Sequence, residues 1–113
     1  DPKPYYKRAK ILCMTSSYEG LPLVISEAQN YNVFPILFDS FLSASDIIKN
    51  NINGILIKPF DINSYVVNLQ NLIENYDKNS DSYNLELQNN ANRFSIYTIG
   101  NQWLNLFKKI IHE

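Results

Sequence analysis

The sequence predicts an α/β fold organised on a parallel sheet, and three observations carry that expectation. Three short, continuous apolar runs, Ile11–Met14, Phe34–Phe38 and Gly54–Ile57, have the character of strands covered on both faces. The segments between and after them place apolar residues at helical spacing. Strand and helix therefore alternate along the chain, the order from which right-handed crossovers build a parallel sheet. A length of 113 residues fits one domain, and a hydrophobic share of 45% supplies its core.

Lys3, Lys7, Arg8 and Lys10 lie in a helical approach to the first strand, Ile11–Met14. The first connection opens at Pro22, whose missing N–H costs nothing in a first helical turn, and runs through Val24, Ile25 and Ala28 to about Tyr31. After the second strand, Ser43 and Asp46 form a capping-box-like pair ahead of Ile47 and Ile48. Asn53-Gly54 supplies a turn into the third strand. Asp61 caps a helix over 61–76, in which Ile62, Tyr65, Val66, Leu69, Leu72, Ile73 and Tyr76 hold helical spacing. The polar run Asp77–Ser82 predicts a loop, a weaker helix covers 83–92, and Ser95 caps a last helix over 95–111. Trp103, Leu106, Phe107 and Ile110 form one stripe on it, with Trp103 expected to anchor the helix against the sheet. Five helical segments after the first strand, over three strands, point to a piece of a larger α/β domain.

Ten Lys and Arg against eleven Asp and Glu leave a net charge of −1, so no nucleic-acid partner is expected. No apolar run approaches the ~20 residues of a membrane span, and the chain does not open like a signal peptide. The single cysteine excludes a disulfide scaffold and suits a reducing, cytoplasmic setting. Within its apolar run, Cys13 is expected to be an inert core thiol.

The chemistry concentrates in Thr15–Ala28, which leaves a strand and opens a helix. Open α/β sheets bind ligands at that end of their strands. A helix N-terminus offers unpaired N–H groups and partial positive charge to a phosphate. Gly20, lacking a Cβ, lets a ligand approach the backbone, and the useful amides are those of Leu21, Leu23 and Val24. Glu19 and Glu27 frame this turn. Carboxylates repel phosphate and accept hydrogen bonds from vicinal diols, so the pair suits the sugar and ribose of a nucleotide-sugar. On spacing alone the alternative stays open: Glu19 complementing the helix dipole and Glu27 standing solvated.

Glu19-Gly20-Leu21-Pro22-Leu23-Val24-Ile25-Ser26-Glu27-Ala28 resembles the Glu-x7-Glu signature of the family-4 (group 1) glycosyltransferases. The likeness extends to Tyr5–Lys10, to Pro35–Ser40, and to Asp46–Asn50 with Asn53–Ile57. It covers about Tyr5 to Phe107 and is greatest for capsule, lipopolysaccharide and exopolysaccharide members. It implies a Rossmann-like three-layer parallel sheet, residues 1–113 being the later part of the C-terminal, donor-binding domain of a GT-B glycosyltransferase. Glu19 then holds the catalytic position on donor-sugar hydroxyls. Glu27 takes the ribose, and Gly20, Leu21, Leu23 and Val24 hold the diphosphate. Apart from the resemblance, Ser17 stands where it can shape the pocket, and Asp39 and Ser40, just after the second strand, can border it, although a turn role suits those two better. The implied enzyme retains anomeric configuration and needs no metal or other cofactor.

Two departures from the family pattern stand out. Asn32 replaces a usual glycine, at a turn that asparagine can also make. The family's basic pair for the diphosphate has no counterpart here. The implied partners are a nucleotide-sugar donor and a glycan or glycolipid acceptor held by an N-terminal domain that these residues do not include. The expected setting is cytoplasmic, or peripheral at the inner membrane. The first strand should form an exposed sheet edge open to self-association, and the isolated chain should be inactive. Two alternatives remain at this point. One is a non-catalytic interaction or signalling module, for which Asp39 lacks acidic companions. The other is a GT-B epimerase or phosphorylase.

Overall fold

A computed structural model describes residues 1–112; Glu113, the last residue of the expected 1–113 domain, lies outside the described residues. The elements are α1 (Lys3–Tyr6), β1 (Ile11–Met14), α2 (Leu23–Asn30), β2 (Phe34–Phe38), α3 (Ala44–Ile47), β3 (Ile55–Ile57), α4 (Ile62–Arg93) and α5 (Ile96–Ile111). The strands pair in parallel in the order β1-β2-β3, with Ile11 opposite Phe34 and Ile36 opposite Ile55.

Central β2 is buried at all five positions, as its unbroken apolar run requires. Its side chains alternate between two faces. Phe34 packs with Leu72, Tyr76 and Leu87 of α4, and Ile36 and Phe38 pack with Ile57 and Tyr65. Leu37 points the other way, among Ile25 of α2, Ala44 and Ile47 of α3, and Met14, Phe41 and Ile48. The result is three layers: α4, the sheet, and α2 with α3. The buried Tyr65 hydroxyl stitches two layers, its proton lying between the carbonyls of Ile36 (2.8 Å) and Met14 (3.2 Å).

Caps and turns follow local chemistry. Asp61 accepts from the Ser64 amide at 3.0 Å, and Ser95 accepts from that of Thr98 at 3.1 Å. Asn32 takes a left-handed conformation (φ 59°), so the turn survives without glycine. At the turn into β3 the left-handed residue is Asn51 (φ 66°). Gly54 serves instead as a close-packing position, where a Cβ would lie 2.8 Å from Ile48 and 3.1 Å from Pro35. Gly54 itself makes one bridge to Asn50, so β3 begins a residue later than expected.

Four expectations need correction. Asp77–Ser82 is not a loop, because α4 runs unbroken for 32 residues. Its sequence contains no glycine or proline, and Tyr76 and Tyr83, two turns apart, both face the Phe34 region; the Phe34–Tyr83 rings are 4.4 Å apart. The polar run is the solvent side of those turns. Cys13 is exposed rather than buried. It belongs to β1, at the sheet's rim, whereas α4 packs on β2 and β3. Trp103 does not anchor α5 to the sheet. None of the residues of α5 is buried, and Trp103 lies beside Phe107 with ring centroids 5.4 Å apart, on an exposed stripe. Ser43 does not cap α3 with its side chain. Its hydroxyl is engaged elsewhere, at the site.

Candidate functional site

The β1–α2 loop, Thr15 to Pro22, emerges at the C-terminal end of β1. Three serine hydroxyls hold it. Ser16 donates to Glu19 Oε1 at 3.0 Å. Ser40, just past β2, donates to the Ser16 carbonyl at 2.8 Å, and Ser43 donates to the Gly20 carbonyl. The loop that carries Glu19 is therefore fastened to the β2–α3 loop, and one Glu19 oxygen already has a protein donor.

α2 starts immediately after buried Pro22, its N-cap residue, which bonds no amide through its side chain. No acidic residue occupies the first turn. The N–H groups of Leu23 and Val24 belong to that turn and have no acceptor within the helix, while Ile25 donates to the Pro22 carbonyl at 3.2 Å. The helix's positive end is thus left for an anion. A Cβ on Gly20 would meet no atom within 4 Å, so the backbone there faces open space.

Glu27, on the exposed side of α2, turns to a different wall. Its Oε2 lies 3.4 Å from the Tyr6 hydroxyl. With Tyr6, Asn30, Tyr31 and the segment Asp1–Lys3 it lines a cavity of about 530 Å³, which Glu19 does not reach. Tyr6 is buried and stacks on Tyr31, ring centroids 5.7 Å apart. Burial first, then the Glu27 charge and hydrogen bond, push the Tyr6 phenol above its ordinary range, so it keeps its proton and donates.

The remaining candidates divide between two places. Asp39 and Ser40 line a cavity of about 410 Å³ with Tyr18, Phe41, Leu42 and Ser45, and among the described residues no other carboxylate shares it. The Asp39 amide donates to the Ile57 carbonyl at 2.8 Å. Leu21 and Leu23 are exposed and border a shallow crevice with Ser26, Ile47 and Phe94. Ser17 is an exposed residue of the β1–α2 loop. Sequence reasoning missed Tyr6 and Tyr31 as the surroundings of Glu27 and Ser43 as a support of the loop. The Tyr6–Glu27 pair is separated by 21 residues and the Ser43–Gly20 pair by 23, so no local pattern signals either.

The arrangement offers an anion-accepting helix start with Glu19 in the loop ahead of it, while Glu27, the fifth residue of α2, faces a separate cavity. Residues 1–93 match the family model described as glycosyl transferases group 1. The chain is 32% identical over 112 residues to the Campylobacter jejuni GalNAc-alpha-(1->4)-GalNAc-alpha-(1->3)-diNAcBac-PP-undecaprenol alpha-1,4-N-acetyl-D-galactosaminyltransferase, covering 96% of the chain and 30% of that protein. Among solved structures it is similar to TarM, at TM-score 0.79 and 31% identity, covering 94% of the chain and 21% of TarM. Anabaena HepE, solved in complex with UDP, shares the fold at TM-score 0.82 and 19% identity, with 93% of the chain and 29% of HepE covered. The chain thus spans less than a third of the length of the proteins it matches.

Proposed function

The chain belongs to the group 1 glycosyl transferases, with the GT-B type of fold, and on that premise we propose that it is a donor-binding portion of a retaining enzyme. The enzyme moves a sugar from a nucleotide-sugar to a bacterial surface glycan of the capsule, lipopolysaccharide or exopolysaccharide kind. Residues 1–113 form the later part of its C-terminal domain. One observation carries the reading: the loop bearing Glu19 leaves the end of a parallel strand and enters the N-terminus of α2, the helix that also carries Glu27.

In this reading the backbone from Gly20 to Val24 receives the diphosphate, where the helix field stabilises negative charge as it develops on the leaving group. Glu19 binds donor-sugar hydroxyls through the oxygen that Ser16 does not occupy. Glu27 receives ribose hydroxyls. Ser17, Asp39 and Ser40 border the sugar. Positioning and electrostatics do the catalytic work, and no metal or other cofactor takes part. The UDP in the HepE complex and the undecaprenol-linked glycan in the name of the Campylobacter relative support a nucleotide donor and a glycan or glycolipid acceptor.

The acceptor is held by an N-terminal domain, and the enzyme works in the cytoplasm or peripherally at the inner membrane. Among the described residues no helix is long and apolar enough to cross a membrane. The isolated chain is inactive and self-associates through the unpaired edge of β1. Calorimetric titration with UDP, GDP and their sugar conjugates tests the reading. Saturable binding of one nucleotide, abolished by Glu27→Ala in a folded protein, is expected. Unchanged affinity in that variant would retire the site.

A further inference from the structure

We propose that Tyr6 is a positioning residue for Glu27, fixing its carboxylate so that one oxygen faces the nucleoside cavity. This rests on the reading of Glu27 given above and deepens it.

Glu27 is exposed on α2, and a glutamate side chain so placed moves among several rotamers unless something holds it. Tyr6 can hold it because Tyr6 itself cannot move. The residue is 8% exposed, packed with Ala28 and Val33, and its ring stacks on Tyr31 at an interplanar angle of 27°. The hydroxyl emerges from that packing into the wall of the 530 Å³ cavity, 3.4 Å from Glu27 Oε2. The bond is long for a phenol on a carboxylate. With Oε2 engaged by the phenol, Oε1 is left to accept hydroxyl protons from a diol entering the cavity. The raised pKa of Tyr6 keeps the donor protonated throughout the neutral range.

Tyr6→Phe removes one oxygen and keeps the ring, its stacking and its burial. The test measures affinities of the full-length protein carrying these residues for UDP, GDP and ADP and for their 2′,3′-dideoxy counterparts. The unmodified protein is expected to prefer one ribonucleotide over its dideoxy form by about tenfold or more. In Tyr6→Phe, with thermal unfolding confirming the fold, that preference is expected to shrink to about threefold or less. In a Glu27→Ala background, Tyr6→Phe is expected to change nothing further.

A purely structural Tyr6 would weaken both forms equally and leave the ratio intact, and that result overturns the proposal while Glu27 keeps its role. An unmodified protein that binds no nucleotide, or binds without a preference, overturns the reading of Glu27 and the role of Tyr6 with it. Were Tyr6→Phe to unfold, tyrosine labelled with ¹³C at Cζ in the unmodified protein answers instead. The Tyr6 resonance moves with the ribonucleotide and stays with the dideoxy form; equal shifts overturn the proposal.

Discussion

Asn90 of α4 donates to the Gln29 carboxamide oxygen of α2 at 2.7 Å, in a region where both residues are buried. Gln29 uses its other end to donate to the Asn53 carbonyl at 3.0 Å, in the turn that leads to β3. One side chain thus joins three segments that sequence separates by 24 and 61 residues. Gln29→Leu, similar in size, leaves the Asn90 amide and the Asn53 carbonyl without this partner. Expected is a loss of about 2–4 kcal/mol, read by chemical denaturation; a loss under about 0.5 kcal/mol would show that water replaces the network.

Gly54→Ala should destabilise by about 1–3 kcal/mol, because the new methyl meets Ile48 at 2.8 Å, a buried side chain with little room to retreat. Gly20→Ala is the contrast. It meets no protein atom, so its melting temperature is expected to match the parent while nucleotide affinity falls. Equal melting temperatures for all three proteins would contradict the packing assigned to Gly54.

Ser43→Ala releases the Gly20 carbonyl from the β2–α3 loop. Stability should change by less than about 1 kcal/mol, since the bond is solvent-exposed. Donor affinity of the full-length enzyme should fall by about three- to tenfold as the loop loses its support. Unchanged affinity would mean that Ser16 and Ser40 suffice to hold it.

Stability should decline above about pH 10. Burial, most strongly, raises the Tyr65 phenol above its ordinary value of 10.0, and Tyr76 is raised as well, again chiefly by burial. In the unfolded chain these phenols ionise near pH 10, while the folded state still holds their protons. The folded state is therefore favoured fully below pH 10 and loses that advantage as pH climbs toward the folded-state pKa. Thermal unfolding from pH 8 to 11 should show the decline, with a shallower slope in Tyr65→Phe. Parallel slopes for the two proteins would remove Tyr65 as a cause.

The sheet was legible because each strand is an unbroken apolar run between turn residues; β1 and β2 begin and end where Ile11–Met14 and Phe34–Phe38 do. The position of the β1–α2 loop was legible for the same reason. What misled was reading each segment alone. Asp77–Ser82 is polar because it faces water, and its helicity is set by the tyrosines on either side. Cys13 sits in an apolar run, but its burial depends on the strand's place in the sheet. The surroundings of Glu27 were illegible because Tyr6 arrives from another element across 21 residues.

Trp103 gives the molecule an optical property. It is the sole indole of the chain, is 54% exposed, and sits on a helix with no buried residue. Its emission therefore reports on α5 and not on the sheet. In the native chain it is expected to be red-shifted and quenchable by iodide, and to change little as the α/β core melts. A blue shift with loss of quenching marks coverage of the stripe that Trp103 shares with Phe107.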